Sequence, residues 1–282
     1  MKVLVTGATG FVGQHVIPQL LSEGHFVTAV ARNKTKARTF DWYEHVHFIA
    51  CDIYQIRENA FQFFGSPDVI MHLAWDGLPN YTELFHFERN LFADYQFIKS
   101  LIDGGLRHLM ITGTCLEYGI KNGCLSEDMP SSPVTSYALA KDTLRKFLEF
   151  LLHKKNVIFQ WARLFYLYGK GQNPNSLIAQ LERAIDMGDS VFNMSGGEQL
   201  RDYLPIEDAS AKLVKLINNP QCTGIVNICS GEPISIRRLV EQHLRRRNAN
   251  LRLNIGHYPY PEYEPMAFWG DTKKFSSICS EK

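Results

Sequence analysis

A tyrosine and a lysine that stand four residues apart, Tyr137 and Lys141, are the first candidates for chemistry in this chain. They open a stretch with the spacing of an amphipathic helix, in which residues i and i+4 share one face. A nearby cation favours the phenolate, so we expect Lys141 to lower the pKa of Tyr137 toward the working pH. Thr114 follows a predicted strand and can hydrogen-bond a reacting oxygen. These three residues form the candidate catalytic group, although a Tyr-x-x-x-Lys pair alone is a common accident of helical sequences.

The elements that would position this group follow a regular alternation. Short β-branched runs alternate with longer helical patterns, which predicts an α/β fold with a doubly wound parallel sheet of the Rossmann type. The run Val69 to Leu73 is almost continuously apolar, as expected when helices cover both faces of the sheet. After Gly169, glycine and proline break up shorter elements. We therefore predict a dinucleotide-binding domain over residues 1–168. Residues 169–282 should form mainly a smaller, interleaved C-terminal substrate-binding region, with some segments returning to the first domain.

A glycine-rich turn follows the first predicted strand and opens the first predicted helix. Residues 6–13 read TGATGFVG, with the spacing Gly-x-x-Gly-x-x-Gly. A tight turn needs glycine, the close approach of a pyrophosphate excludes side chains, and the helix N-terminus supplies amide donors. The alternative is a turn that uses glycine only for its backbone freedom. The pattern favours dinucleotide binding, with these residues in contact with the cofactor: Gly7, Thr9, Gly10, Phe11, Val12 and Gly13.

The end of the second predicted strand indicates which dinucleotide binds. An acidic residue there would accept a hydrogen bond from the 2′-hydroxyl of NAD. The chain instead has Arg32 within residues 31–34, and a guanidinium suits a 2′-phosphate. We therefore expect NADP(H) to be favoured, with NAD(H) as the alternative cofactor and a solvated basic loop as the non-functional interpretation. Asp52 and Ile53, just beyond the third strand, should meet the adenine.

Composition and charge exclude several other classes of protein. The 282 residues are 45% hydrophobic and 21% charged with a net charge of +1, which argues for a globular protein and against a nucleic-acid partner. The start of the chain lacks a secretory signal pattern, and no run reaches the roughly 18 apolar residues of a membrane span, so we expect a cytoplasmic protein. The six cysteines form no Cys-x-x-Cys pair, and His45 and His47 have no further ligands nearby, so no metal site is expected.

In combination these motifs resemble the extended short-chain dehydrogenase/reductase superfamily, in its NAD-dependent epimerase/dehydratase branch. The glycine turn, the segments His72–Ala74 and Thr112–Thr114, and the Tyr137–Lys141 pair occur in the required order. The resemblance extends over nearly the whole chain. It implies that Lys141 also holds the nicotinamide ribose. The further cofactor contacts expected on this basis are Leu73, Ala74, Thr112, Tyr137, Lys141 and Phe165.

The resemblance also indicates a substrate. In relatives that use nucleotide sugars, the arginine equivalent to Arg201 reaches the substrate diphosphate; the alternative is an ion pair with Asp202. Tyr166 stands where the family usually has asparagine, and Trp75 would either stack on the ligand or fill the core. We expect four substrate-binding residues: Trp75, Thr114, Tyr166 and Arg201. The proline- and tyrosine-rich segment 258–265 should lie extended across the surface or over a cleft.

The residues after Thr114 distinguish between reactions. Nucleotide-sugar 4,6-dehydratases carry an Asp-Glu pair there, whereas this chain has Cys115 and Leu116, so dehydration is disfavoured. The segments 72–81 and 113–119 look similar to those of nucleotide-activated 4-keto-6-deoxyhexose reductases. We predict NAD(P)H-dependent reduction of a nucleotide-linked 4-keto-6-deoxy sugar, dTDP-linked by preference, to the 6-deoxyhexose in bacterial surface polysaccharide or deoxysugar biosynthesis. A 4-epimerase and a non-catalytic NADP(H)-binding sensor are the alternatives. A homodimer through helices 82–103 and 137–153 is a family expectation.

Overall fold

The computed structural model describes residues 1–55, 59–260, 262 and 264–280. The strands, in chain order, are β1 Lys2–Thr6, β2 Phe26–Ala31, β3 His47–Ala50, β4 Val69–His72, β5 His108–Thr114, β6 Gly123–Leu125, β7 Ile158–Leu164, β8 Tyr166–Tyr168, β9 Val191–Asn193, β10 Leu200–Pro205, β11 Gly224–Ile228, β12 Pro233–Ser235, β13 Arg252–Asn254 and β14 Phe268–Gly270. The α-helices are α1 Gly13–Ser22, α2 Lys34–Ala37, α3 Ala60–Phe63, α4 Leu91–Gly104, α5 Ser136–Leu152, α6 Leu177–Asp186, α7 Ile206–Ile217, α8 Ile236–Arg246 and α9 Lys273–Ser280.

Within the described residues, seven parallel strands form the central sheet in the order β11-β7-β5-β4-β1-β2-β3. The strand order reverses beside β1, because β2 lies on one side of it and β4 on the other. Since all seven strands are parallel, their carboxyl ends meet at one edge, where α/β proteins bind ligands. Helices α1 and α7 pack on one face, while α4 and α5 pack on the other. The prediction of a doubly wound parallel sheet is confirmed.

The chain after Gly169 contributes both to this sheet and to smaller ones. Strand β11 forms one edge of the central sheet, and α7 packs against α1. Strand β10 pairs with β8 and β12, β9 pairs with β13, and β14 pairs with β6. Helices α6 and α8 bury a separate apolar cluster that includes Leu181 and Val240. The late segments are thus interleaved with the early ones, and the division into domains at residues 168 and 169 stays a prediction.

Asp202 in β10 joins these late segments to one another. Its carboxylate is fully buried; Oδ1 accepts hydrogen bonds from the Ser230 backbone N–H at 2.7 Å and hydroxyl at 2.6 Å. The Oδ2 atom accepts from Gly231 N–H at 2.8 Å and from Gly270 N–H at 3.1 Å. One carboxylate therefore holds β10, the loop after β11 and β14 together, because each buried N–H needs an acceptor.

Replacing Asp202 with alanine should destabilise the protein strongly. The change leaves three backbone N–H groups and a hydroxyl without their acceptor, and we expect a loss of about 3 kcal/mol in the free energy of unfolding. Urea unfolding followed by circular dichroism measures this loss. The exposed Asp189 gives a matched control, and Asp189→Ala should stay within about 0.5 kcal/mol of the parent. A similarly small effect of Asp202→Ala would show that the carboxylate does not hold these segments.

Candidate active site

The glycine-rich turn packs directly against the end of β4. Gly7 has a φ of +70°, and a Cβ there would lie 2.8 Å from the backbone nitrogen of Ala74. At Gly13, the first residue of α1, a Cβ would collide with the carbonyl oxygen of Gly7. Side chains at these two positions would break the turn. The turn therefore has the tight geometry and the open backbone face that a pyrophosphate requires.

A cleft of about 250 Å³ opens beside this turn, at the carboxyl edge of the central sheet. It brings together eight of the predicted cofactor-binding residues, all of which line it: Gly7, Thr9, Gly10, Arg32, Asp52, Ile53, Leu73 and Ala74. Phe11, Val12 and Gly13 continue the turn into α1. Phe165 lies elsewhere, in a buried cluster with Tyr118 and Phe268, so its role as a cofactor contact stays a prediction. The cleft has the position and lining of a dinucleotide site.

The catalytic candidates meet at the same edge of the sheet. Thr114 ends β5, and Tyr137 stands in the first turn of α5, which Thr135 caps by accepting a hydrogen bond from Ala138 N–H at 3.2 Å. A side-chain hydrogen bond joins Tyr137 to Thr114. Lys141, one turn further along α5, donates from Nζ to the carbonyl oxygen of Thr112 at 2.9 Å. Thr114, Tyr137 and Lys141 are all buried.

Burial changes the protonation chemistry of this group. It raises the pKa of Tyr137 far above the ordinary value, so the expectation that Lys141 lowers this pKa is wrong. The effect of burial on this pKa outweighs the effect of any nearby cation, because burial penalises the charged phenolate. The same effect lowers the pKa of Lys141 to about 8, and the carboxylates of Asp94 and Glu117 oppose that shift. Tyr137 is therefore a protonated phenol, and Lys141 titrates near neutral pH.

Glu117 fixes the backbone of Thr114. Its buried carboxylate accepts hydrogen bonds from Thr114 N–H at 2.8 Å, from Trp161 Nε1 at 3.0 Å and from Arg163 Nε at 2.7 Å. Thr114 and Glu117 together form a capping box at the short helical turn 115–118. Sequence reasoning left the role of Glu117 open. The spacing Thr-x-x-Glu after a strand is the signal that could have indicated it.

A second buried network lies between the glycine turn and Lys141. Thr6 contacts His72 Nδ1 at 2.9 Å, and His72 Nε2 contacts Asp94 Oδ1 at 2.9 Å. The Tyr54 hydroxyl donates to Asp94 Oδ2 at 3.1 Å. Since Asp94 also raises the pKa of Lys141, its carboxylate helps to keep that ammonium charged. Asp94 sits on a helix face that the sequence pattern alone assigns to solvent or packing, so this role was missed.

Aromatic side chains pack around Tyr137. The ring of Trp75 lies 5.9 Å from that of Tyr137, Tyr81 lies at 5.6 Å and His86 at 5.4 Å. Trp75 Nε1 donates to His86 Nδ1 at 3.0 Å, and the Nζ of Lys141 lies 4.1 Å from the Trp75 ring centroid. Trp75 also lines the cofactor cleft. It therefore bounds the site instead of filling the core alone.

Arg201 and Tyr166 share a carboxylate that the sequence did not indicate. Arg201 is buried and pairs with Glu264 Oε2 at 2.9 Å, and the Tyr166 hydroxyl donates to Glu264 Oε1 at 2.7 Å. The alternative of an ion pair between Arg201 and Asp202 is wrong, because backbone N–H groups occupy the Asp202 carboxylate. Glu264 belongs to the proline- and tyrosine-rich segment. Of that segment, Pro261 and Tyr263 fall outside the described residues.

Neither a metal-binding cluster nor a membrane-spanning helix is found among the described residues. Across the part of the chain that the structure describes, no group of three or more histidine, cysteine, aspartate and glutamate side chains could hold a metal ion. In the same residues, none of the helices combines the length and the apolar character needed to cross a bilayer.

Comparison with known proteins places this geometry in context. The sequence model of the NAD dependent epimerase/dehydratase family matches residues 3–229. The dTDP-6-deoxy-L-talose 4-dehydrogenase (NAD(+)) of Aggregatibacter actinomycetemcomitans is 28% identical over 96% of this chain and 99% of its own. The GDP-6-deoxy-D-talose 4-dehydrogenase of the same organism is 25% identical over 86% of this chain and 78% of its own. A UDP-glucuronic acid 4-epimerase from Bacillus cereus, solved with UDP-glucuronic acid and NAD, superposes with a TM-score of 0.86. At 22% identity over 100% of this chain and 94% of that one, this likeness shows the fold.

Cofactor affinity should depend on pH through Lys141. Because burial brings the pKa of Lys141 to about 8, the charged fraction of this side chain falls about tenfold between pH 7 and pH 9. If the ammonium holds the cofactor ribose, the apparent affinity for NADH should fall by about the same factor. Calorimetric titration at several pH values measures this. Lys141→Met should bind more weakly at pH 7 and show a much flatter profile. Identical pH dependence in both proteins would remove Lys141 from cofactor binding.

Proposed function

The chain belongs to the NAD dependent epimerase/dehydratase family, the extended short-chain dehydrogenase/reductases, and from this premise we propose that it reduces the C4 ketone of a nucleotide-linked 4-keto-6-deoxy sugar. Membership makes it an enzyme of the oxidoreductase type that depends on a nicotinamide dinucleotide. The observation that carries the proposal is the buried group of Thr114, Tyr137 and Lys141, with Tyr137 protonated. This group adjoins the cleft through Trp75, which lines the cleft and whose ring centroid lies 4.1 Å from the Nζ of Lys141.

The proposed mechanism assigns one task to each member of this group. When bound, the cofactor supplies a hydride to the carbonyl carbon. The Tyr137 phenol, which burial keeps protonated, donates its proton to the oxygen as the C–O bond becomes single, and it later regains a proton from solvent. The Thr114 side chain, hydrogen-bonded to Tyr137, orients that oxygen. Lys141 holds the cofactor ribose and stabilises the transient phenolate.

The residue after Thr114 bears on the choice between reduction and dehydration. Cys115 is buried, and burial raises the pKa of its thiol far above the usual range, so it stays protonated and cannot serve as the base that an elimination needs. Leu116 has no ionisable group. Dehydration therefore has no evident base at this position, which supports the assignment of simple reduction.

The identity of the relatives supports the class of substrate. A dTDP-6-deoxy-L-talose 4-dehydrogenase is named for oxidation at C4 of a nucleotide-linked 6-deoxy sugar, which is the reverse of the proposed reduction. We propose that Trp75, Thr114, Tyr166 and Arg201 contact the sugar nucleotide, with dTDP as the leading nucleotide. Tyr166 and Arg201 both donate hydrogen bonds to the carboxylate of Glu264, so polar side chains meet in this part of the proposed site. The proposed place of the reaction is deoxysugar or surface polysaccharide biosynthesis.

The choice of cofactor differs from the prediction made from Arg32 alone. The comparisons do not support the preference for NADP(H), since the dTDP-6-deoxy-L-talose enzyme is named for NAD(+) and the 4-epimerase structure contains NAD. In this chain the Arg32 guanidinium donates to Asp76 Oδ1 at 3.0 Å. A 2′-phosphate would compete with that carboxylate. We therefore propose NAD(H) as the working cofactor.

We also propose that the protein forms a homodimer through α4 and α5. Phe92 on α4 is exposed, as are Leu139, Phe147 and Phe150 on α5, and Phe150 is 87% exposed. Exposed apolar side chains of this size favour burial against a partner. Tyr95 and Phe147 pack edge to face between the two helices, which brings the apolar side chains into one surface. A cytoplasmic location stays a prediction.

A panel of nucleotide-linked 4-keto-6-deoxy sugars tests the proposed reaction. Purified protein mixed with NADH should oxidise one NADH for each ketone reduced, and the protein should arrive largely free of bound cofactor because a reductase releases it in every turnover. Absorbance at the nicotinamide band and product analysis measure both quantities. Interconversion of two 4-hydroxy sugars without added cofactor would establish a 4-epimerase instead. Binding of the sugars without turnover on any of them would contradict reduction altogether.

Tyr137→Phe provides the mechanistic control for this assay. Turnover should fall by about two to four orders of magnitude, the usual scale for loss of an acid–base group, while cofactor binding and folding stay close to those of the parent. Tyr95→Phe removes a phenol hydroxyl on α4, away from the reacting group, and should retain full turnover. Equal activity of the two variants would exclude Tyr137 as the proton donor.

A further inference from the structure

Asp76, in the loop after β4, is held at the mouth of the cofactor cleft by two arginines. Its Oδ1 accepts a hydrogen bond from Arg32 at 3.0 Å, and its Oδ2 accepts one from Arg89 at 2.8 Å. Its backbone oxygen accepts from Asn90 Nδ2 at 2.9 Å. Arg89 and Asn90 are neighbours in the π-helical turn His86–Asn90 that leads into α4. The carboxylate is therefore anchored from the helix side independently of Arg32.

From this arrangement we propose that Asp76 is the residue that decides between NAD(H) and NADP(H), by neutralising Arg32 and by facing the ribose 2′ position. The inference rests on the proposed function only in taking the cleft as the dinucleotide site. Asp76 and Arg32 line that cleft together with the glycine turn, so both act where the adenosine ribose is expected. Sequence reasoning considered only the end of the second strand, where Arg32 stands.

Charge distinguishes the two dinucleotides at this position. A 2′-phosphate carries close to two negative charges and would seek the Arg32 guanidinium, which already donates to Asp76. Since Arg89 and Asn90 keep Asp76 in place, the phosphate would meet a fixed carboxylate as well as a shared arginine. A 2′-hydroxyl has no charge and can donate a hydrogen bond to a carboxylate. Asp76 therefore penalises NADP(H) and tolerates NAD(H).

The surrounding charges show why Asp76 should dominate. Among the residues that the structure describes, Arg32 and Lys36 are the basic side chains that line the cleft, and by themselves they favour a phosphate. Asp52 also lines it, and its Oδ1 accepts a hydrogen bond from Tyr54 N–H at 3.1 Å. The Arg32 side chain is 65% exposed and that of Asp76 31%, so solvent screens the pair and the discrimination should be about tenfold, not absolute. Removing the charge of Asp76 frees the Arg32 guanidinium for a phosphate.

The direct test compares the dissociation constants of NADH and NADPH, measured by nicotinamide fluorescence without any sugar. Asp76→Asn should tighten NADPH binding about tenfold and change NADH binding less than about threefold. In the double variant Arg32→Ala/Asp76→Asn the gain for NADPH should disappear, because the freed guanidinium is what produces it. These side chains are partly exposed, and thermal unfolding will show whether each variant keeps the stability of the parent.

Glu88→Gln is the matched control, since it removes one exposed negative charge beside Arg89 without touching Arg32. It should leave the ratio of the two dissociation constants within about twofold of the parent. The assignment to Asp76 would be overturned if Asp76→Asn left the ratio of the NADH and NADPH dissociation constants unchanged. It would also be overturned if Glu88→Gln changed that ratio as much as Asp76→Asn does. A parent protein that binds neither dinucleotide would overturn both this inference and the proposed function. Normal binding with no turnover on any sugar would contradict the proposed function alone.

Discussion

The buried carboxylate of Glu117 is the constraint on which the catalytic end of the sheet depends. It accepts hydrogen bonds from a backbone N–H at the end of β5 and from two side chains of β7, so it links the carboxyl ends of these two strands. Burial raises the pKa of Glu117, whereas Arg163 and the donated hydrogen bonds oppose that shift. A buried carboxylate keeps its charge only when such partners surround it. Of these hydrogen bonds, the one from Thr114 N–H ties the carboxylate directly to the candidate catalytic group.

The same burial determines how the reacting groups divide their work. Tyr137 and Lys141 lie one helical turn apart, as the spacing predicts. Burial raises the pKa of Tyr137 and lowers that of Lys141, so it favours the neutral form of both side chains. A phenol that resists ionisation is suited to give a proton to an oxygen that becomes strongly basic. Asp94 and Glu117 limit the effect on Lys141, so its ammonium stays available. The pKa of each group thus reflects its surroundings more than its neighbour in the motif.

Much of this could be predicted from the sequence, because the signals are local. Short segments of sequence contain the alternation of strands and helices, the glycine turn, and the order of Thr114, Tyr137 and Lys141. The strands form the expected parallel sheet, and the glycine turn lines the cleft at its edge. Two of the corrections involve pairs far apart in the chain. Arg32 and Asp76 are 44 residues apart, and Arg201 and Glu264 are 63 apart. No periodicity brings such pairs together, since only the packed fold decides which carboxylate an arginine meets.

The location of the transferred hydrogen tests the central claim, reduction at C4, most directly. NADH deuterated on the transferring face of the nicotinamide would be given to the protein with a nucleotide-linked 4-keto-6-deoxy sugar, and the product would be examined by NMR. The account predicts one deuterium at C4, with the hydroxyl proton at that carbon drawn from solvent through Tyr137. Deuterium at another carbon, or a product changed in configuration without any label, would contradict it.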